Sequence, residues 1–282
     1  MKRLFLLFLI VTMSIMNFMQ PNIALGADNS INEKKNLRNS RIKLFNGKNL
    51  NGWYTFIKNR GRNNDPNKVF TVQDGLIRIS GEEFGCITTD EEYENYKLLV
   101  EFKWGDLTFA PRVGKARDSG VLLNSAGEDG GYSGIWMHSI ECQIIEGGTG
   151  DMLVIGDGTI KFSLTCPVEP EKQNGSYVFK PGGNQVTIYE GRINWYGRSP
   201  EWKDVKGFRV AKDIEKPVGE WNRIECIVRG KEISIYLNGT LVNHAIEVQP
   251  QKGRIQIQSE GAEILFRRVD LTLLPQNLPE TE

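Results

Sequence analysis

Histidine is scarce in this 282-residue chain, which has only His138 and His244. That excludes a three-histidine metal centre and leaves a Ser-His-Asp arrangement little to build on. Net charge is missing as well. Thirty-five basic groups balance 35 acidic ones, which removes the usual electrostatic route to nucleic acid or an anionic membrane surface. Cys86, Cys142, Cys166 and Cys226 show no C-x-x-C spacing, so zinc-ribbon and dithiol redox motifs are excluded. Cys142 and Cys226 sit in apolar alternating runs, where buried free thiols are expected. The glycine clusters contain neither a G-x-G-x-x-G that opens a helix nor a G-x-x-x-x-G-K-[ST], and nucleotide binding has no support. Helical periodicity is poor and no internal repeat occurs.

Long apolar runs are lacking apart from one. Lys2 and Arg3 precede an almost unbroken apolar stretch at 4–19, and Ala24-Leu25-Gly26 supplies a small-x-small cleavage pattern. The stretch is shorter than the ~20 residues a spanning helix needs, and no cysteine follows it. Residues 1–26 are therefore expected to be a cleaved signal peptide, and the mature protein to be periplasmic or secreted, without membrane attachment. Cleavage removes two basic groups and no acidic ones, leaving a net charge of −2. A flexible leader at 27–42, one domain at 43–275 and a short tail at 276–282 complete the expected organisation.

What the chain does have is β patterning. Phe70-x-Val72 and Leu76-Ile77-Arg78-Ile79 flank Asp74-Gly75, a strong hairpin signal. Ile224-x-Cys226-x-Val228 and Ile233-x-Ile235-x-Leu237 alternate around Arg229-Gly230-Lys231, and Asn238-Gly239 supplies a type I′ turn into Leu241-Val242. Further strands are predicted at 98–104, 120–124, 135–146, 253–258 and 264–273, and a capped helical turn at 89–93. One apolar and one polar face per strand means antiparallel sheets packed on one side. Many short strands with glycine-rich turns argue for a sandwich, jelly roll or barrel. Residues 159–220, with Pro167, Pro170, Pro181, Pro200 and Pro217 among aromatics, read as an ordered excursion with strands within 186–195.

The richest segment for chemistry is 134–148. Period-two alternation places Ile140, Cys142 and Ile144 on one face and Ser139, Glu141 and Gln143 on the other. Glu146 has the wrong parity, and a β-bulge after Gln143 would bring it round. Two carboxylates on one face are what glycoside cleavage requires. Asp118 precedes a strand and can reach the same face. Trp195 and Trp202 lie in loops, where an indole can stack on the apolar face of a sugar. His138 shares parity with the apolar residues and reads as a packed, structural histidine.

The spacing Glu141-x-Gln143-Ile144-x-Glu146 resembles the E-x-D-x-x-E strand of retaining β-glucanases on the concanavalin-like jelly roll, with Gln143 in place of the Asp. A wider resemblance runs from about Leu44 to Leu273. It comprises Leu44-Phe45-Asn46-Gly47-Lys48-Asn49-Leu50-Asn51-Gly52-Trp53, Phe70-x-Val72-x-Asp74-Gly75 and Asp118-Ser119-Gly120-Val121-Leu122. It continues through Glu141-Cys142-Gln143-Ile144, Trp221-Asn222, Leu237-Asn238-Gly239, Ile255-x-Ile257-Gln258 and Phe266-Arg267-Arg268-Val269. In that order these are similar to the secreted 3-keto-disaccharide hydrolase family. The resemblance implies an all-β, antiparallel, two-sheet jelly-roll sandwich. It departs from the family at Ser259-Glu260-Gly261, where His-Gly is common after the glutamine, and at Arg268, where Asn is usual.

The activity this resemblance implies is cleavage of a 3-keto-disaccharide or 3-keto-glycoside. A ketone at C3 acidifies C2–H, so a base can remove that proton and expel the C1 substituent, and water then completes a net hydrolysis. In this scheme Glu141 is the expected base and Glu146 the acid. Gln143 orients the sugar, Arg254, Arg268 or a divalent ion stabilises the enolate, and an oligosaccharide or glycoside substrate is the expected partner. The carboxylate-rich composition would suit Ca²⁺ better than zinc. A retaining β-glucanase and a lectin-like binding module are the competing readings.

Overall fold

A computed structural model describes residues 41–275. The expected signal peptide, nearly all of the leader and the tail from 276 lie outside the described residues. The described chain folds into two sheets of ten strands each, with no helix among the described residues, so none is long and apolar enough to cross a membrane. The described strand pairs are antiparallel, save for Tyr177–Val178 alongside Gly191–Asn194.

The first sheet is centred on the long strands Tyr96–Thr108 and Ala262–Leu273, flanked by Asn222–Arg229, Glu232–Leu237 and Thr240–Gln249 on one side and Leu76–Ile79 on the other. The second is centred on His138–Ile145, Asp118–Ala126 and Lys252–Ser259, continued by Gly85–Thr89 and Trp53–Ile57 in one direction and Met152–Ile155 in the other. Val100, Phe102, Cys226 and Phe266 of the first sheet and Val121, Ile140, Cys142 and Ile257 of the second belong to one fully buried core. This is an antiparallel jelly-roll sandwich. All four cysteines are buried free thiols.

The turn chemistry is local and is followed in the structure. Asp74 and Gly75 both take positive φ between Phe70–Gln73 and Leu76–Ile79, as do Asn238 and Gly239 before Thr240–Gln249, the conformation a type I′ turn requires. Three expectations change. Arg41–Lys43, expected as the end of the leader and the start of the domain, is a strand paired with Asp270–Thr272. The helical turn expected at 89–93 is a bend instead, because Thr89 Oγ1 accepts from Ile255 N at 3.0 Å and ties the segment to the sheet. The excursion is largely sheet up to residue 194. Ser163–Val168 and Asn184–Ile188 extend the first sheet, and Gly191–Asn194 extends the second. Residues 195–221 form the excursion's longest loop, tied to the end of the second sheet where Trp202 Nε1 donates to Glu146 O.

Close approach of the central strands needs glycine at one position in particular. A Cβ on Gly253 would stand within 3.0 Å of the backbone of Asn124 and Ser125. Backbone cannot give way as a flexible side chain can, so Gly253→Ala is expected to destabilise by roughly 3 kcal/mol, read as a lower midpoint in urea unfolding at unchanged slope.

Candidate active site

The outward face of the second sheet carries the polar residues. Its register runs unbroken from Ile140↔Leu123 to Ile145↔Asp118, so Glu141, Gln143 and Ile145 point outward beside Leu122, Gly120 and Asp118. Gln256 and Gln258 come from the next strand, Lys252–Ser259. With no bulge after Gln143, Glu146 keeps the inward parity of Cys142 and Ile144. Its carboxylate meets Arg117, accepting from Nη1 at 2.6 Å and from the backbone N at 2.9 Å, and also accepts from Gly207 N at 2.9 Å. The structure therefore does not bring Glu146 to Glu141.

Gln143 is held at both ends. Its Nε2 donates to Asp118 Oδ1 at 2.5 Å and to Ser119 O at 3.2 Å, and its Oε1 accepts from Arg192 Nη2 at 3.1 Å. Arg112 continues the chain, donating to Asp118 and, at 3.0 Å, to Asp204. Asp151, without exposed surface, accepts from Arg192 at 2.7 Å, from Arg198, and from the backbone N of Trp195 at 2.8 Å. Arg112, Arg192, Arg198, Trp202, Asn194 and Ile145 line a pocket of about 610 Å³ over this face. Asp118 and Gln143 therefore sit where expected, but their polar atoms are engaged by protein partners.

The other expected contacts fall elsewhere. Trp195 is buried in the core, its loop drawn in by Asp151. Trp202 is half-buried in the pocket wall, but its Nε1 donates to Glu146 O at 2.8 Å and the Arg198 guanidinium lies 4.2 Å over its ring. Arg254 is turned to the carbonyls of Thr89 and Asp90. Arg268 lies on the other sheet with Asp270 and, at 3.7 Å, Glu101. Neither arginine reaches Glu141. His138 packs 4.8 Å from the Phe162 ring with Nδ1 3.2 Å from Ile155 O. Among the described residues no group of three or more His, Cys, Asp or Glu side chains is placed to hold a metal ion, and no step is routed through one.

Glu141 differs from every other carboxylate on this face. It is 2% exposed, and its Oε1 has no hydrogen-bond partner. Burial, and then the negative charge of Glu260, push its pKa up to about 8, against the pull of Arg192. Glu260 occupies the turn between Lys252–Ser259 and Ala262–Leu273. Burial of its carboxyl raises its pKa to about 7, with Arg112 and Arg192 opposing. Two like-charged groups in reach of each other, in poorly solvated surroundings, resist ionising together. Sequence reasoning misses Glu260 as a site residue, although its departure from the His-Gly pattern after Gln258 is a usable signal. Arg112 and Arg198 stand in loops and Arg192 in a four-residue strand, where no periodicity marks them.

The glycine-rich turn after Ile145 fastens the loop that walls the pocket. A Cβ on Gly147 would press on Phe208 at 2.8 Å and on Trp202 at 3.1 Å. Glu215 reaches into the same turn, accepting from Trp104 Nε1 at 2.7 Å and Thr149 Oγ1 at 2.9 Å. Burial raises its pKa to about 7.

Two outcomes follow. Glu146→Ala leaves Arg117 buried without its counter-ion, and is expected to cost about 3–5 kcal/mol and to speed proteolysis within 195–221. A carboxyl whose pKa is raised on folding stabilises at low pH and loses that contribution as pH climbs from the unfolded value through the folded one. Thermal melts of the wild type should therefore fall from about pH 5 to about pH 8. Glu141→Gln should flatten part of that slope and melt higher than the wild type at the alkaline end.

No curated protein matches the chain. Among solved structures it is similar to two candidate glycosyl hydrolases from Parabacteroides distasonis. One is 17% identical, with 90% of this chain and 99% of the other covered at a TM-score of 0.49. The second is 22% identical, covering 84% and 100% at 0.48. A Bacillus licheniformis β-glucanase is 12% identical, covering 83% and 97% at 0.44. Residues 40–272 match the model of the 3-keto-α-glucoside-1,2-lyase-like domain. That match spans most of the sequence, and the chain belongs to this carbohydrate-active family.

Proposed function

We propose that this chain cleaves 3-keto-glycosides by elimination across C1–C2, using Glu141 and Glu260 as a carboxyl pair that holds one proton. The observation that carries this reading is a pair of poorly solvated carboxyls, the charge of Glu260 acting on Glu141, with pKa values raised to about 8 and about 7, beside a pocket walled by Arg112 and Arg192. A pair with separate pKa values close to neutral pH supplies a base and an acid at once. Glu260, the more readily ionised, takes the C2 proton. Glu141, the base expected from sequence, acts here as the acid. As the C1–O bond breaks, its electron pair goes to the leaving oxygen, which takes the Glu141 proton. A C1–C2 double bond forms, and the pair again holds one proton. Arg112 and Arg192 oppose the negative charge that grows on the ketone oxygen. Water adding to the enone gives net hydrolysis.

The basic pair and apolar run at 2–19 support action outside the cytoplasm, on an uncharged sugar that a nearly neutral protein does not repel.

Incubating the protein with a 3-keto-disaccharide and following products tests the reading. Glu141→Gln and Glu260→Gln should each reduce turnover by roughly 10²–10⁴-fold, and the wild-type pH–rate profile should be a bell with limbs near 7 and 8. Wild-type activity in Glu141→Gln would refute the assignment. Tight sugar binding without turnover of any oxidised glycoside would place the chain with lectin-like binders. Preference for an unoxidised glucan would favour the retaining glucanase.

A further inference from the structure

Two buried oxygens on the outward face of the second sheet have no donor. Glu141 Oε1 and Gln258 Oε1 each lack a hydrogen-bond partner, and both lie within 3.0 Å of the point where a Cβ on Gly120 would stand. The residues are 2% and 1% exposed, so bulk water does not serve either oxygen. Two acceptors cannot bond to each other, and leaving both unmade is costly in a poorly solvated site. One proton resolves the conflict, because a protonated carboxyl carries an O–H donor while an amide oxygen accepts.

We propose that Gln258 is the positioning residue for the acid, its side-chain oxygen accepting the Glu141 proton in the resting protein above the side-chain-free Gly120. The inference rests on the reading of Glu141 as an acid and adds how its proton is aimed. Gln258 sits on a strand fixed by its neighbours: Ser119 Oγ donates to Gln258 O at 3.0 Å, and Gln258 pairs with Cys86. A side chain at position 120 would fill the space where the two oxygens converge. The contrast with Gln143 supports the assignment, since Gln143 has both ends of its amide engaged by Asp118, Ser119 and Arg192 and offers Glu141 nothing. When a leaving oxygen enters, it replaces Gln258 as acceptor. The Glu141 O–H bond then breaks as the new O–H bond forms on the departing alcohol.

Infrared difference spectra of the full chain without substrate, at about pH 6 where the pair is protonated, read this directly. The protonated-carboxyl stretch that vanishes in Glu141→Gln should be present in the wild type and move to higher frequency in Gln258→Leu, where its acceptor is gone. Gln258→Asn, one methylene shorter, should shift it the same way and serves if the leucine variant does not fold. No band lost in Glu141→Gln would overturn the proposal, since Glu141 would then be ionised with the amide nitrogen turned towards it. A band unmoved in both Gln258 variants would overturn it too. The spectra need no turnover, so a failed assay on 3-keto-glycosides would remove the proposed function and leave this result standing.

Discussion

Asp151 is the charge on which the pocket depends. Completely buried, it needs cationic and backbone donors to offset its lost hydration, and it gathers Arg192, Arg198 and the backbone of Trp195 for that purpose. Each partner carries something further. Arg192 reaches on to Gln143 and so fixes the centre of the sheet face. Arg198 lies over Trp202 and orders the loop that walls the pocket. Drawing Trp195 inward commits its ring to the core and so removes it as a sugar platform.

Burial of carboxyl groups then sorts structure from chemistry. Glu146 is buried and answered by Arg117 and two backbone donors, so it holds an architecture together. Glu215 is buried and answered by Trp104 and Thr149, and fastens the same loop from the other side. Glu141 is buried as deeply and its Oε1 is answered by nothing. A buried oxygen without a donor is rare in a folded protein, and burial is the main cause of the raised Glu141 pKa. The negative charge of Glu260 raises it further.

Much of the fold is legible in the sequence because its causes are local. Period-two alternation in 222–229 and 232–237, and the αL-tolerant Asp74-Gly75 and Asn238-Gly239 pairs, specify hairpins with no knowledge of the rest of the chain. Glu141, Gln143 and Asp118 are legible as sharing a face for the same reason. The excursion is legible only in part: strands within 186–195 are anticipated, whereas Ser163–Val168, which pairs with Asn184–Ile188, is not. Glu146 turns inward because the strand keeps its register to the end, and a bulge there would need a disruption of pairing that the neighbours do not make.

Alternation and turn residues by themselves determined an all-β chain of antiparallel hairpins with Glu141 facing away from the core, because each depends on residues a few positions apart. Scarce histidine, a matter of composition alone, also pointed any proton transfer towards carboxyl groups. Only the tertiary structure decided which carboxyl charge acts on Glu141. Glu260 stands more than a hundred residues away, in a turn whose sequence carries no periodicity. Its pairing, like the sending of Arg268 to the opposite sheet and of Arg192 to the pocket, follows from strand order across the sandwich and from the packing of loops on its end, neither of which is written in local spacing.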